Sequence, residues 1–402
     1  MRDWIQRHIL GSAATALVVI VVLIGWGVAA FRSAGDETAA PKPAPTTPLP
    51  VVTTPSASPT PRPSPTCGDL ALADQVGQLV MVGTPVDNAK SLITAVGRYH
   101  LGGVFLAGRT DRSAASLRAD ITALQAAAAT PLLVALDQEG GNVQTLKGPD
   151  FPVIPSAETL GAGSAATLRT TVAGTATRLR GIGINLNLAP VADTVPASLG
   201  ERNPPIGYWH RQFGSDPVKV AADVRTAVDA SQKAGVLTTI KHFPGLGRTL
   251  VNTDTSTGAA DAAVTPTDPY LKPFAAGIAA GSAAVMVSSA SYPKLDPKSI
   301  APFSEPIITG LLRKKMGFDG LVVSDDLGAA VAVKSVAVGD RAVRFIRAGG
   351  DLALSVRPED AAPMTAALLA EARASESFAL RVSDAVTHVL AAKKRAGRPS
   401  CG

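Results

Sequence analysis

Aromatic side chains are scarce in this chain of 402 residues, at 4% of positions, and that scarcity disfavours an aromatic-rich β-sandwich core. The apolar content of 46% rests instead on Ala, Val and Leu, which suits buried parallel strands under close-packed helices. Histidine is also rare. The five histidines are dispersed and no His-Glu-x-x-His pattern occurs, so neither a metal centre nor another cofactor is expected. Lys and Arg outnumber Asp and Glu by 38 to 32, yet they form no block and are not interleaved with aromatics. A nucleic-acid partner is therefore not expected, and the excess reads as ordinary surface charge with at most a mild attraction to anionic wall polymers. Only two cysteines are present, Cys67 and Cys401. They stand near the two ends of the region with globular character. In an exported protein this placement suggests one disulfide joining the termini of a domain, the alternative being two unpaired thiols.

One long stretch lacks charge altogether. Residues 9–31 are uncharged and mostly apolar, with Arg2 and Arg7 before them. Such a segment is long enough to span a bilayer, which takes ~20 residues, and the arginines would keep residues 1–8 in the cytoplasm. A cleaved signal peptide ending at Val28-Ala29-Ala30 is the rival reading, and either one exports the remainder. Residues 32–66 hold ten prolines among Ala, Ser and Thr. That composition builds no core; extended at ~3 Å per residue it is a spacer of roughly 100 Å.

From there to the end, residues 67–402 alternate short apolar runs with longer Ala-rich helical stretches. Strands are expected at 78–83, 103–107, 132–136, 184–188, 236–240, 283–287, 321–323 and 352–354, with helices at 112–128, 217–234, 303–316 and 358–376 among the segments between and after them. Eight strands separated by helices, most of them continuously apolar, predict a single-domain (β/α)8 TIM barrel of the α/β class. An open doubly wound sheet is the runner-up, but no Gly-rich nucleotide fingerprint follows the first strand.

Barrel chemistry sits at the C-terminal ends of strands. There the chain places Asp137-Gln138-Glu139-Gly140-Gly141, Asn187 followed by Asp193, Lys241-His242-Phe243-Pro244-Gly245, Ser288-Ser289 and Ser324-Asp325-Asp326. Carboxylates, a lysine and a histidine converging on one rim point to glycoside chemistry, in which a retaining pair of carboxyl groups stands ~5 Å apart. A helix cap or supporting role is the bland reading of any one such Asp, and it suits Asp326.

The run from Leu311 through Gly328, with Val322-Val323-Ser324-Asp325-Asp326 at its centre, resembles the nucleophile signature of glycoside hydrolase family 3. Lys241-His242-Phe243-Pro244-Gly245-Leu246-Gly247, Asp137-Gln138-Glu139-Gly140-Gly141 and Asn187-Leu188-Ala189-Pro190-Val191-Ala192-Asp193 are similar to motifs of its β-N-acetylglucosaminidase branch. The four motifs stand in the family's order and span roughly residues 70–395. The resemblance implies a retaining hydrolase of terminal β-linked N-acetylglucosamine, acting on a carbohydrate substrate such as cell-wall glycan fragments. By motif position Asp325 is the nucleophile, and Asp137, Lys241 and His242 hold sugar hydroxyls. Arg211 matches a family arginine across extra residues in Ile206-Gly207-Tyr208-Trp209-His210-Arg211. Two rival readings stand beside these roles: His242 as a packed structural histidine, and Lys241 as a Schiff-base lysine in a lyase.

The family's loop after strand five carries Asp-x-His, whose histidine is the acid/base. This chain reads Asn252-Thr253-Asp254, and no histidine lies between His242 and His388. Either Asp254 takes over as acid/base, with Asn252 hydrogen-bonded to it, or the protein binds glycans without cleaving them. A turn or cap residue is the bland reading of Asp254. A carboxylate there would repel phosphate, so hydrolysis rather than phosphorolysis is expected. Asn142, Thr145 and Leu246 replace cationic or imidazole positions of the family, which leaves the outer part of the site less cationic.

Overall fold

The computed structural model describes residues 70–397. The apolar segment at 9–31, the spacer at 32–66 and both cysteines lie outside the described residues. Among the described residues no helix is long and apolar enough to cross a membrane.

Eight parallel strands form one sheet: β1 (Val80–Pro85), β2 (Gly103–Ala107), β3 (Leu133–Leu136), β4 (Leu186–Asn187), β5 (Leu237–Phe243), β6 (Ala284–Val287), β7 (Leu321–Ser324) and β8 (Ala353–Ser355). They hydrogen-bond in the order β7-β6-β5-β4-β3-β2-β1-β8. A bridge between Val323 and Leu352 joins β7 to the start of β8 and brings the sheet round into a barrel. Most strand positions are apolar because a parallel sheet wrapped by helices is buried on both faces, and the polar ones gather toward the strand ends and in β5, Leu237–Phe243. Every position of β3, β6 and β7 is buried. Several helices begin at a capping side chain: Ser113, Ser164 and Asp216 each accept a backbone N–H of the first turn.

All eight expected strands form. Three depart in detail: the fifth runs on through Lys241 and His242 to Phe243, so these two lie within the strand and not after it, and the first and fourth differ through side-chain bonding. The first begins two residues late, because Gln78 closes the helix Leu72–Gln78 and its side-chain amide donates to the His100 carbonyl at 2.7 Å. The fourth pairs regularly only at Leu186–Asn187, because the Asn185 side chain replaces part of the ladder. Its Oδ1 accepts from Val134 N at 2.8 Å and its Nδ2 donates to Leu132 O at 2.9 Å. The stretch expected as an ordinary helix at 303–316 forms a wider π-helix over Pro306–Lys315.

Two buried charge clusters fasten the last helix, Glu376–Arg395, to the strand-start end of the barrel, away from the strand ends that carry the motifs. Asp351, just before β8, accepts from Arg381 (2.7 Å), His388 (3.0 Å), Val322 N (2.8 Å) and Arg313. Burial alone would raise its pKa, but Arg313, His388 and Arg381 outweigh it and hold the carboxyl far below the usual range. Lys393 is fully buried, donates to the Gln78 side chain, and is pushed by burial down to about 7. The unfolded chain therefore binds more protons than the folded one between about pH 7 and the ordinary lysine value of ~10.4. The penalty of burying this cation is full below pH 7 and fades as pH rises through that window. Relative to Lys393→Met, the wild type should gain up to about 1.4 kcal/mol per pH unit from pH 7 to 9, read from urea midpoints. A stability difference that stays flat with pH would contradict this.

Candidate active site

Four charged side chains lock together at the mouth of the barrel. The Glu139 carboxylate is gripped by Arg211, with Nε to Oε2 at 2.9 Å and Nη2 to Oε1 at 2.8 Å, and its Oε1 also meets Lys241 Nζ at 2.6 Å. Lys241 makes a second 2.6 Å contact, to Asp137 Oδ1. Two cations thus balance two carboxylates. Burial would raise the Glu139 pKa, but Arg211 and Lys241 prevail and draw it down to about 2. Burial would lower Lys241, but Asp137 and Glu139 raise it. Lys241 is therefore held as an ammonium ion, the opposite of what a Schiff-base lysine requires.

Local chain geometry explains the cluster. Beyond β3 the chain continues as a short strand, Gln138–Gly140, paired antiparallel with Val143–Gln144. Alternation in extended backbone sends Asp137 and Glu139 to one side. Gln138 faces the other way and clamps Leu146 through both its amide atoms, at 2.9 Å and 3.0 Å. Asn187 at the end of β4 holds the Gln138 backbone from both its N–H and its carbonyl. Removing one charge from the quartet should be costly, because it leaves a buried cation without compensation. Glu139→Gln is expected to lower stability by about 3–5 kcal/mol in a denaturant melt, and a change below ~1 kcal/mol would contradict the ion cluster's role.

His242 is drawn into the same site but is already occupied. Its Nδ1 lies 2.7 Å from Asp193 Oδ2, and the same oxygen accepts the His242 N–H at 3.1 Å. Asp193 is fully buried and its other oxygen accepts Leu246 N at 2.6 Å. Arg211 Nη2 stands 3.3 Å from His242 Nε2. Because a guanidinium only donates, Nε2 accepts and the ring proton is assigned to Nδ1. Both ring nitrogens thus have protein partners, so His242 orients Arg211 as well as lining the mouth. Gly247 permits this packing: a Cβ there would collide with the Thr194 carbonyl.

The paired aspartates after β7 are separated by their partners. Asp326 accepts three backbone N–H groups, from Gly328 (2.8 Å), Ala329 (2.9 Å) and Val356 (3.0 Å), and so ties the loop after β7 to the end of β8. Asp325 continues the ladder through its own N–H to Val287 O at 2.9 Å. Its Oδ1 accepts only the adjacent Asp326 N–H, and Oδ2 takes no hydrogen bond from the described residues. Asp326 fills the supporting role expected of it, and Asp325 keeps a free oxygen.

Asp254 lies on a loop that is tied down. Asn252 Oδ1 accepts the Asp254 N–H at 2.9 Å, so Asn252 holds the backbone rather than the carboxyl group. Val331 N and Ala332 N donate to the carbonyls of Asp254 (3.3 Å) and Thr253 (3.2 Å), which joins this loop to the one after β7. Although the residue has an exposed surface, crowding by the mouth of the barrel raises its pKa, and the charge of Asp325 pushes the same way against the opposing pull of Arg211, to about 6. The Asp254 carboxyl has no hydrogen-bond partner among the described residues. All six expected site residues, Asp137, Arg211, Lys241, His242, Asp254 and Asp325, therefore come to one rim. Glu139 and Asp193 stood inside recognised motifs without a role. The i, i+2 spacing of Asp137 and Glu139 signals their common face, whereas Asp193 reaches His242 only across loops.

The barrel matches the family model described as the glycosyl hydrolase family 3 N terminal domain over residues 71–392. The chain belongs to glycosyl hydrolase family 3. This family 3 member is a glycosidase, as its relatives are. It is 36% identical over 270 residues to a β-hexosaminidase of Xanthomonas oryzae pv. oryzae, covering 64% of this chain and 77% of the relative. The crystal structure of a β-N-acetylhexosaminidase from Beutenbergia cavernae is similar with a TM-score of 0.79 and 46% identity, over 82% of this chain and 100% of that one. A family 3 β-N-acetylglucosaminidase from Paenibacillus sp. is similar with a TM-score of 0.74 and 35% identity, over 82% of this chain and 63% of that one.

Proposed function

We propose that this glycosidase is a retaining β-N-acetylglucosaminidase that removes terminal sugars from cell-wall glycan fragments, with Asp325 as nucleophile and Asp254 as acid/base. One observation carries the reading: two carboxyl groups at one mouth sit in unlike environments. Asp325 has a free oxygen, and the Asp254 carboxyl is raised to about 6. A carboxyl raised in pKa beside one with an open oxygen is the division of acid from nucleophile that such a site needs. In the first step Asp325 Oδ2 attacks the anomeric carbon while the Asp254 proton passes to the departing glycosidic oxygen. In the second, Asp254 takes a proton from water, the water oxygen bonds to the anomeric carbon, and the Asp325 carboxylate leaves. Asp137, with one oxygen on Lys241 and a partly exposed carboxyl, is suited to accept from a sugar hydroxyl. Lys241 and Arg211 supply the positive potential that favours an ionised neighbour.

The proposed setting is outside the cytoplasm, with 9–31 as anchor and 32–66 as spacer; this rests on the composition of those residues alone. Proton NMR of the first sugar released in phosphate buffer tests the chemistry. The β-anomer of free N-acetylglucosamine is expected; the α-anomer, or a sugar 1-phosphate as main product, would overturn the mechanism.

A further inference from the structure

The extra residues before Arg211 include two large, partly exposed aromatic rings close in the chain to that site residue. Tyr208 is 58% exposed and Trp209 38%, and their rings meet edge to face with centroids 5.1 Å apart. Large exposed rings occur singly on most surfaces and then need no explanation. These two differ in being adjacent, in preceding a site residue by two and three positions, and in lying on a segment held from both ends. Before them, the fully buried Asn203 donates to Leu246 O and Thr249 O at 2.8 Å each and accepts from Ile206 N and Gly207 N, at 3.1 and 2.8 Å. After them, His210 Nδ1 meets Glu158 at 2.6 Å, and Arg211 is locked onto Glu139. Asn142, which follows the Gly140-Gly141 turn, reaches the Trp209 carbonyl at 3.5 Å. Trp209 is two residues from Arg211, so its Cα lies within about 7 Å of that of a site residue.

Resting on the hydrolytic reading above, we infer that Tyr208 and Trp209 form the subsite for the leaving-group sugar and select an uncharged saccharide aglycone by stacking on its C–H face. Rigid aromatic rings supply large amphipathic contact area at small entropic cost, which is why they recur where a ligand must be recognised. The charges around the pair do not favour an anionic ring. Glu158 and Glu201 flank His210, while the nearby cations are already engaged: Arg211 on Glu139, Arg202 on the Ser198 carbonyl and Arg109 on the Asn142 carbonyl at 2.7 Å.

The test compares two substrates on the full chain: methyl N-acetyl-β-glucosaminide, whose aglycone has no ring, and the β-1,4-linked disaccharide of N-acetylglucosamine. Trp209→Ala should lower kcat/KM for the disaccharide by about ten-fold, equivalent to ~1.4 kcal/mol, and leave the methyl glycoside unchanged. Tyr208→Ala should lower it in the same direction. An equal loss on both substrates, or no loss on the disaccharide, overturns the subsite. A binding readout separates this from the hydrolytic reading. Trp209 is one of three tryptophans, the others being Trp4 and Trp26, which lie outside the described residues. In Asp325→Asn, the disaccharide should change tryptophan fluorescence saturably, the monosaccharide should not, and adding Trp209→Phe should abolish the signal. If the wild type cleaves neither substrate but this signal appears, the subsite stands and hydrolysis falls. If the signal is absent, the subsite falls.

Discussion

Asp325→Asn is expected to lower kcat on an aryl N-acetyl-β-glucosaminide by on the order of 10⁴ or more, because the covalent step has no other nucleophile. The argument is one of partners. Of the two aspartates after β7, Asp326 spends both oxygens on three backbone N–H groups, while Asp325 keeps Oδ2 free. Asparagine preserves the shape and the bond to the Asp326 N–H but is a poor nucleophile, so the melting temperature should hardly move. Asp326→Ala should do the reverse in kind: it releases three buried donors, and its first effect should be on stability. A smaller nucleophile supplied from outside sharpens the test. Azide added to Asp325→Gly should restore turnover and yield the α-glycosyl azide, since it attacks from the face the carboxylate occupied. Unchanged activity in Asp325→Asn would remove Asp325 from the mechanism.

Asp254→Asn should cost about 10²–10⁴ in rate on substrates whose leaving group must be protonated, and less on aryl glycosides with good leaving groups. The pH profile carries more information than the rate. In the proposed mechanism Asp254 is the acid, so its protonated form is the active one for the first step. With its carboxyl raised to about 6, by the crowded mouth first and by Asp325 second, kcat/KM should fall as pH rises above about 6. Asp254→Asn should remove that descending limb. Because the two carboxyls influence one another, the limb belongs to the pair and is not the property of one residue. A limb that persists in Asp254→Asn would assign the proton to another group, and a profile with no such limb in the wild type would mean that the Asp254 proton does not govern the rate.

Much of the barrel is legible in the sequence because its strands are apolar on both faces and separated by helical patterns, so no alternation has to be read. The rim is legible for the same reason: a polar residue directly after such a run has one place to go. What the sequence conceals is set by contacts between distant segments. Asn185 replaces ladder bonds with its side chain, which shortens β4 to two paired residues. Glu139 becomes the centre of a buried ion cluster only because the segment after β4 brings Arg211 and β5 brings Lys241 to it. Asn252 proves to hold the Asp254 backbone, leaving the carboxyl free, which its spacing alone does not tell. The assignment of Arg211 across an irregular insertion is likewise a matter of where the side chain arrives, and it arrives at Glu139 and His242.

The most direct measurement is the mass of the peptide containing Asp325 after reaction with a slowly turned-over N-acetylglucosaminyl glycoside. The mechanism predicts one N-acetylhexosaminyl adduct on Asp325 in the wild type and none in Asp325→Asn, with Asp254→Asn accumulating the adduct because its second step lacks a base. Turnover with no adduct, or an adduct carried by another residue, would contradict it.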